Sequence, residues 1–496
     1  MSRPLAERIR EVLTLDHAAP AIEFQGVWTN WRTIACVATD VETQLRAAGF
    51  GEGCRVGLML RNHPAMVAAM LGVLLAKGCI VTINPSHGDA GLASDIEGLQ
   101  LPALVGVVDD WQRPLVATAA GAALGLQVST DPPSVTTVAG LEKAGAGPFR
   151  SESDGVAVEM LTSGTTGPPK RIPLTYQAFE HTVAAASAHY GSGDKDAPRL
   201  RSGVAIVSSP LVHMSGLFRT LLNICQGRSI ALLERFRVAD FVDAVVRHRP
   251  RAVSLVPSAL AMVLDAQVAP EVFSTVDVVT SGTAPLSVSV QEEFEQRYGV
   301  AVLPSYGATE FAGGVAGWNL ALHREWATSK RGSVGRPQGG REIRIVSPED
   351  GTALPPGTQG RIEVRTGDGE WVSTTDLGRL DADGFLFVDG RLDDIIIRGG
   401  FKVAPADIVK ALRDHPAVRD AGVTGIPDAR LGAVPVGAVE LADGADANPE
   451  ELLDFVRARV TRYQVPTQLL IVDELPRTPS LKVSQPDLRQ LFRQED

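Results

Sequence analysis

The sequence predicts an α/β protein: a large N-terminal domain of layered α/β subdomains with a β-rich subdomain, followed by a small α+β C-terminal domain. Three observations carry this. Short apolar strands alternate with helical patterns from about residue 31 to residue 282, the rhythm of parallel sheets covered by helices. Near residue 332 the pattern changes to short strands and Gly/Pro turns. From about residue 394 a compact mixture of both periods runs to the C-terminal end.

The elements follow in order. The opening MSRPLAERIREVLTLD is a mixed-charge helix without the apolar centre of a signal peptide. Trp31 to Ala48 has helical periodicity and is ended by Gly49. Cys54–Leu60 is a strand, Asn62–Lys77 an apolar helix stopped by Gly78, and residues 79–85 (CIVTINP) the next strand. Residues 101–110 (LPALVGVVDD) form another, and residues 117–150 read as an irregular connection. Strands resume at 155–161, 203–210, 229–234, 252–258 and 275–282.

Composition narrows the function classes. Of 496 residues, 44% are hydrophobic and 21% charged, enough to bury a sizeable core. The net charge of −11 argues against a nucleic-acid-coating surface. Cys36, Cys54, Cys79 and Cys225 show neither CxxC spacing nor a nearby His pair, so they read as thiols in a reducing compartment. The longest apolar run, Met66 to Ala76, is about half of what a membrane span needs. The expectation is a cytoplasmic protein without a membrane span.

The most informative segment is LTSGTTGPPKRIPLT, residues 161–175. Thr162, Ser163, Thr165 and Thr166 offer hydroxyls, Gly164 and Gly167 free the backbone, and Lys170 adds charge. That set suits a polyphosphate, yet it is not the GxxxxGK[ST] of a P-loop. The segment resembles the signature loop of the adenylate-forming superfamily, which includes the acyl-CoA synthetases. Four further segments resemble that family in the same order: Tyr306-Gly307-Ala308-Thr309-Glu310, Ser373 to Gly378, Gly390-Arg391-Leu392-Asp393-Asp394, and Leu475 to Lys482.

The resemblance implies roles residue by residue. ATP would lie against Thr162, Ser163, Gly164, Thr165, Thr166 and Lys170, with Tyr306, Gly307 and Thr309 around adenine. Asp376 would hold the ribose hydroxyls and Arg391 the ribose and phosphate. Mg²⁺ would bind Glu310 with help from Thr165, and Lys482 would be the catalytic cation. Asp393 would be the hinge of a mobile C-terminal domain, dividing the chain into 1–392 and 393–496. His213, in PLVHMSGLF, resembles the histidine beside the acyl carboxylate in acyl- and aryl-CoA synthetases. No Asp stands there to pair with an α-amino group, which argues against amino-acid substrates. Gly399 and Gly400 resemble the wall past which the pantetheine of CoA reaches the acyl group.

For the acyl pocket the resemblance points to His213, Gly282, Thr283, Ala308, Gly313 and Gly314. The small residues suggest room for a bulky apolar acid: aryl, polycyclic or fatty. The implied activity is an AMP-forming acyl-CoA synthetase. Loading of an acyl carrier protein and a non-catalytic nucleotide-binding role are the alternatives, and a homodimer stays open. Two departures stand out. The residue before the catalytic lysine is usually glycine and here is Leu481; an acidic residue that is usually glutamate is Asp407.

Overall fold

The computed structural model describes residues 3–150, 153–162, 170–189, 199–366 and 369–492. The N-terminal sheet has seven strands in the order Pro133–Thr137, Leu124–Thr130, Ala103–Gly106, Arg55–Met59, Cys79–Ile83, Val156–Thr162, Lys170–Thr175. The five inner strands run parallel and both outer ones antiparallel. Every residue of the helix Pro64–Leu75 is buried. An all-round apolar helix must be covered on every side. Here it shares one core with Val56 and Ile80 of the first sheet and Ile22 and Ile230 of the second.

That second sheet runs Arg201–Val207, Arg228–Leu232, Pro20–Phe24, Val27–Asn30. Asn62 stitches the two layers together. Its amide donates to the carbonyls of Ser209 (3.2 Å) and Leu233 (2.8 Å) and its oxygen accepts from the Leu211 N–H (2.8 Å). A third sheet carries Ala252–Ser254, Val278–Ser281, Ala301–Ala308, Gly313–Gly317 and Arg336–Pro337. Four antiparallel strands between Arg341 and Arg391 make the β-rich subdomain. The C-terminal unit packs the helices Pro405–Arg413 and Pro449–Arg457 on a sheet built around Val418–Asp428 and Gly432–Leu441.

Four expectations are corrected. The strand over 101–110 stops at Gly106, and Val108–Trp111 turns into a short helix. Buried Asp110 takes the Val107 N–H at 3.0 Å and pairs with Arg61, so the chain leaves the sheet there. Residues 117–150 are not irregular throughout: Leu124–Thr130 and Pro133–Thr137 form an antiparallel extension of the sheet. Its Ser/Thr-rich, half-exposed outer strand hid the signal, and Pro133 sits at the first position of an edge strand, where proline is tolerated. The strand over 252–258 ends at Ser254 because Pro257 starts a helix. The apolar helix ends with Lys77 in the left-handed region (φ 59°), not with Gly78. Gly78 is small for packing: a Cβ there would lie 3.2 Å from the Cys54 carbonyl oxygen.

Among the described residues no helix is long and apolar enough to cross a membrane.

Candidate active site

The site lies where the third sheet, the β-rich subdomain and the C-terminal unit meet. Strand Ala301–Ala308 delivers Tyr306 to this junction, and its partner Gly313–Gly317 returns beside it. The turn between them is tight. A Cβ on Gly307 would lie 2.4 Å from the Gly313 carbonyl oxygen, so only glycine fits. Glu310 stands exposed on this turn.

Asp376 and Arg391 face each other because they are directly paired residues on adjacent antiparallel strands. The Tyr306 hydroxyl donates to Asp376 Oδ2 at 2.5 Å. Burial and the Asp376 charge hold the Tyr306 phenol above its usual pKa, so it stays a donor. Arg391 reaches Asp376 Oδ1 at 3.4 Å through Nη1. It also donates through Nε and Nη2, both at 2.8 Å, to the two oxygens of Asp393, and at 2.6 Å to Thr375 Oγ1. The bidentate Asp393 pair is the main reason the Arg391 guanidinium holds its proton more firmly than usual. Thus one chain of contacts runs from Tyr306 through Asp376 and Arg391 to Asp393.

His213 enters from the opposite wall, at the position preceding the helix Met214–Cys225. The turn before that helix needs Gly216, because a Cβ there would sit 2.1 Å from the Pro210 carbonyl oxygen. The His213 side chain caps nothing, and its buried Nε2 has no hydrogen-bond partner among the described residues. Burial, and after it the nearby Lys482 ammonium, push its pKa down to about 4. His213 is therefore neutral at physiological pH and carries a buried polar atom whose hydrogen-bonding capacity is unused among the described residues.

Lys482 comes from the C-terminal unit. Its side chain keeps solvent-accessible surface, yet enough protein lies around it for Arg391 and Asp376 to act on its charge. Desolvation lowers its pKa, the Arg391 guanidinium lowers it further, and Asp376 works in the other direction. The structure thus brings Lys482, His213, Asp376, Arg391 and Tyr306 to one place.

Other expected residues stand as follows. Ser163, Gly164, Thr165 and Thr166 lie outside the described residues. Thr162 and Lys170 are opposed across the antiparallel pair that brackets this loop, and Lys170 is exposed. Gly282 and Thr283 follow strand Val278–Ser281, with Thr283 at φ 73°. Gly399 and Gly400 form a turn with φ of 57° and 90°. The Gly399 N–H donates to the Leu431 carbonyl at 2.7 Å within the C-terminal unit, and exposed Lys402, beside that turn, approaches Glu349 at 3.8 Å. Asp407 accepts from Gln464 at 3.1 Å.

The expectation that the small residues leave room is corrected at two positions. A Cβ on Gly313 would meet Thr182 at 2.5 Å, and one on Gly314 would meet Gln338 at 2.6 Å. Their space is already taken by these neighbours. Two residues escaped sequence reasoning. Arg219 shares a half-buried helix face with Ser215 and reaches Thr280 Oγ1 at 3.2 Å, two residues before Gly282. Arg341 is buried beneath the 309–314 turn and donates to the carbonyls of Gly314 (2.7 Å) and Phe311 (2.8 Å) and to Thr182 Oγ1 (3.0 Å). Neither lies in a motif; a buried arginine is visible only once its carbonyl partners are. Arg341→Ala strands those carbonyls, each worth about 1–3 kcal/mol when unsatisfied. The expected result is a lower midpoint in thermal unfolding, read by circular dichroism; an unchanged midpoint would refute the strut.

Residues 10–370 match the family described as AMP-binding enzyme, and residues 408–482 match the AMP-binding enzyme C-terminal domain. The chain belongs to the AMP-binding enzyme family. A similar relative is the 2-succinylbenzoate–CoA ligase of Bacillus subtilis (strain 168), 31% identical over 356 residues, which are 68% of this chain and 69% of that one. Among solved structures, the Bacillus subtilis O-succinylbenzoate coenzyme A synthetase in complex with ATP and magnesium ion is 25% identical. Its TM-score is 0.78, covering 99% of this chain and 100% of that one. The amide bond synthetase McbA from Marinactinospora thermotolerans is 26% identical with a TM-score of 0.80, covering 99% and 100%. For an AMP-binding enzyme the donor set at the cleft fits Mg²⁺. Among the described residues no cluster of three or more metal-ligating side chains exists, and one exposed carboxylate, Glu310, suits an ion held mainly by phosphate oxygens and water.

Proposed function

We propose that this AMP-binding enzyme is an acid–thiol ligase, joining an apolar carboxylic acid, most readily an aryl acid, to coenzyme A with conversion of ATP to AMP and pyrophosphate. The observation that carries it is the convergence of Lys482 with His213, Asp376 and Arg391 in one cleft. In the first half-reaction a carboxylate oxygen attacks the α-phosphorus, the bond to the β-phosphate oxygen breaks, and acyl-AMP and pyrophosphate form. Two anions must meet, and Lys482 supplies the charge that offsets their repulsion. Neutral His213 presents Nε2 to the carboxylate without adding a charge that would hold it back. Asp376 accepts from the ribose hydroxyls, while Arg391 fixes its orientation. Mg²⁺, on Glu310 and the phosphates, would neutralise charge on the leaving pyrophosphate.

In the second half-reaction the CoA sulfur attacks the acyl carbon, the bond to AMP breaks, and AMP leaves. We place the domain boundary at 392/393 and the hinge at Asp393, so that the C-terminal domain presents Lys482 first and the Gly399-Gly400 turn afterwards. Such a step gates the reaction without changing its chemistry. ATP and CoA are cytoplasmic pools, and the cytoplasm is the compartment proposed.

The test is a product search by mass spectrometry with MgATP, CoA and pooled acids, from acetate through fatty acids to aryl acids. Because Arg219 stands on the helix that His213 precedes, the aryl acids are offered with and without a second carboxylate. A new acyl-CoA together with AMP is the expected result. Acyl-AMP that reacts only with an amine or a carrier-protein thiol would move the acceptor away from CoA. ADP in place of AMP would sink the reading.

A further inference from the structure

The loop that carries Lys482 is a hairpin. Arg477 and Val483 bridge across it, the Leu481 N–H donates to the Thr478 carbonyl at 2.8 Å, and the Thr478 N–H donates to the Lys482 carbonyl at 2.8 Å. The connecting residues are therefore Pro479, Ser480 and Leu481. A three-residue hairpin of this kind is a turn followed by one residue in the left-handed region, which favours glycine. Leu481 occupies that position with φ 63°. A leucine there is sterically disfavoured, because Cβ crowds the following carbonyl oxygen.

Something must hold it, and the packing shows what. The Leu481 side chain packs on the core formed by Ile206, Phe241, Leu260 and Phe294, which belongs to the N-terminal domain. Among the described residues it is the one side chain of the C-terminal unit in that core. Apart from the Arg391–Asp393 pair at the boundary itself, the ion pairs across this junction are looser: Arg419 to Asp265 at 3.6 Å and Lys402 to Glu349 at 3.8 Å. Such pairs contribute little in water. On its other side the hairpin is fixed to the C-terminal body through Arg477, which holds Asp420 at 2.7 Å and Glu440 at 3.2 Å.

We propose that Leu481 is a positioning residue that plugs the lysine hairpin into the N-terminal core and so sets Lys482 in the cleft for acyl-AMP formation. It rests on the reading of Lys482 as the adenylating cation. The same plug must be withdrawn before the C-terminal domain can turn, so it favours the first half-reaction over the second.

The test uses Leu481→Gly and Leu481→Asn, which both tolerate the left-handed backbone, and Leu481→Met, which keeps an apolar reach. With the best acid from the product search, acyl-AMP formation in a single turnover should fall roughly tenfold in the first two variants, the scale set by losing one partly buried leucine contact. Thioester formation from supplied acyl-AMP should be unchanged or faster. Leu481→Met should stay within about threefold of wild type in both. A general folding defect would instead slow both half-reactions and lower the melting temperature. Spin labels on cysteines replacing exposed Glu271 and Glu450, with exposed Cys36 changed to Ser, should give one narrow distance in wild type and a broader distribution in Leu481→Gly. Wild-type rates and an unaltered distribution in Leu481→Gly and Leu481→Asn would overturn the inference. A wild-type chain that makes no acyl-AMP from any acid would sink the ligase reading instead, and the distances alone would then decide the role of Leu481.

Discussion

Lys482→Ala is expected to slow acyl-AMP formation by about 10²–10³-fold, the usual cost of removing one preorganised charge-stabilising donor. Thioester formation from supplied acyl-AMP should continue at close to the wild-type rate, because that step needs no cation at the α-phosphate. The separation follows from where Lys482 lies: it is near His213, Asp376 and Arg391, whereas the Gly399-Gly400 turn is hydrogen-bonded to Leu431 within the C-terminal unit. Pyrophosphate release and acyl-CoA formation, followed separately, check it; equal loss of both would refute it. The pH profile adds a second reading of the same group. The Lys482 ammonium is held below the ordinary lysine value by desolvation and by Arg391. Its charge is therefore present at low and neutral pH and lost as pH rises through that lowered value. Adenylation should fall on the alkaline side earlier than an unperturbed lysine near 10.4 would allow. Lys482→Arg keeps the charge at every accessible pH, so whatever activity remains should lose this alkaline fall. His213 stays neutral above about 4 and should add no acid limb between pH 5 and 7.

Asp376→Asn is the second large effect. The carboxylate accepts from Tyr306 and pairs with Arg391 while keeping lone pairs for the ribose. An amide has half the acceptor capacity and must turn an NH₂ group toward one of two donors. Hydrogen bonds to charged groups are worth about 1.5–3 kcal/mol. The KM for ATP should therefore rise by about ten- to a hundredfold, with a smaller change in the KM for the acid. Initial rates with each substrate varied in turn check this. A variant that lost affinity for the acid and kept it for ATP would show that Asp376 is misplaced.

Much of this was legible in the sequence, for a physical reason. Tyr306, Asp376, Arg391 and Lys482 lie in short segments whose turn residues fix the local backbone, and the fold brings these four together as the resemblance implies. The partnership of Asp376 with Arg391 needed one more step, the register of a hairpin, which no motif states. Arg341 was invisible because its value lies in three partners brought near only by folding. Gly313 and Gly314 misled: a missing side chain reads as free space, but Thr182 and Gln338 occupy it. Leu481 reads in the sequence as a missing glycine; the fold shows a side chain with a place to go.

Arg391 has a single guanidinium for three carboxylates: Asp376 on the adjacent strand, and Asp393 and Asp394 just beyond its own strand. Its Nη1 serves Asp376 while Nε and Nη2 serve Asp393, so a movement of the guanidinium or of either carboxylate is felt by the other, and any such coupling is reciprocal. If Asp376 holds the ribose and Asp393 is the hinge, as proposed above, nucleotide occupancy and the angle between the domains become linked quantities. On that proposal, a ligand filling the ribose site would bias the C-terminal domain's orientation, and a fixed orientation would bias the hold on the ribose by the same factor. One arginine would then report the nucleotide's arrival to the mobile domain without a separate sensor.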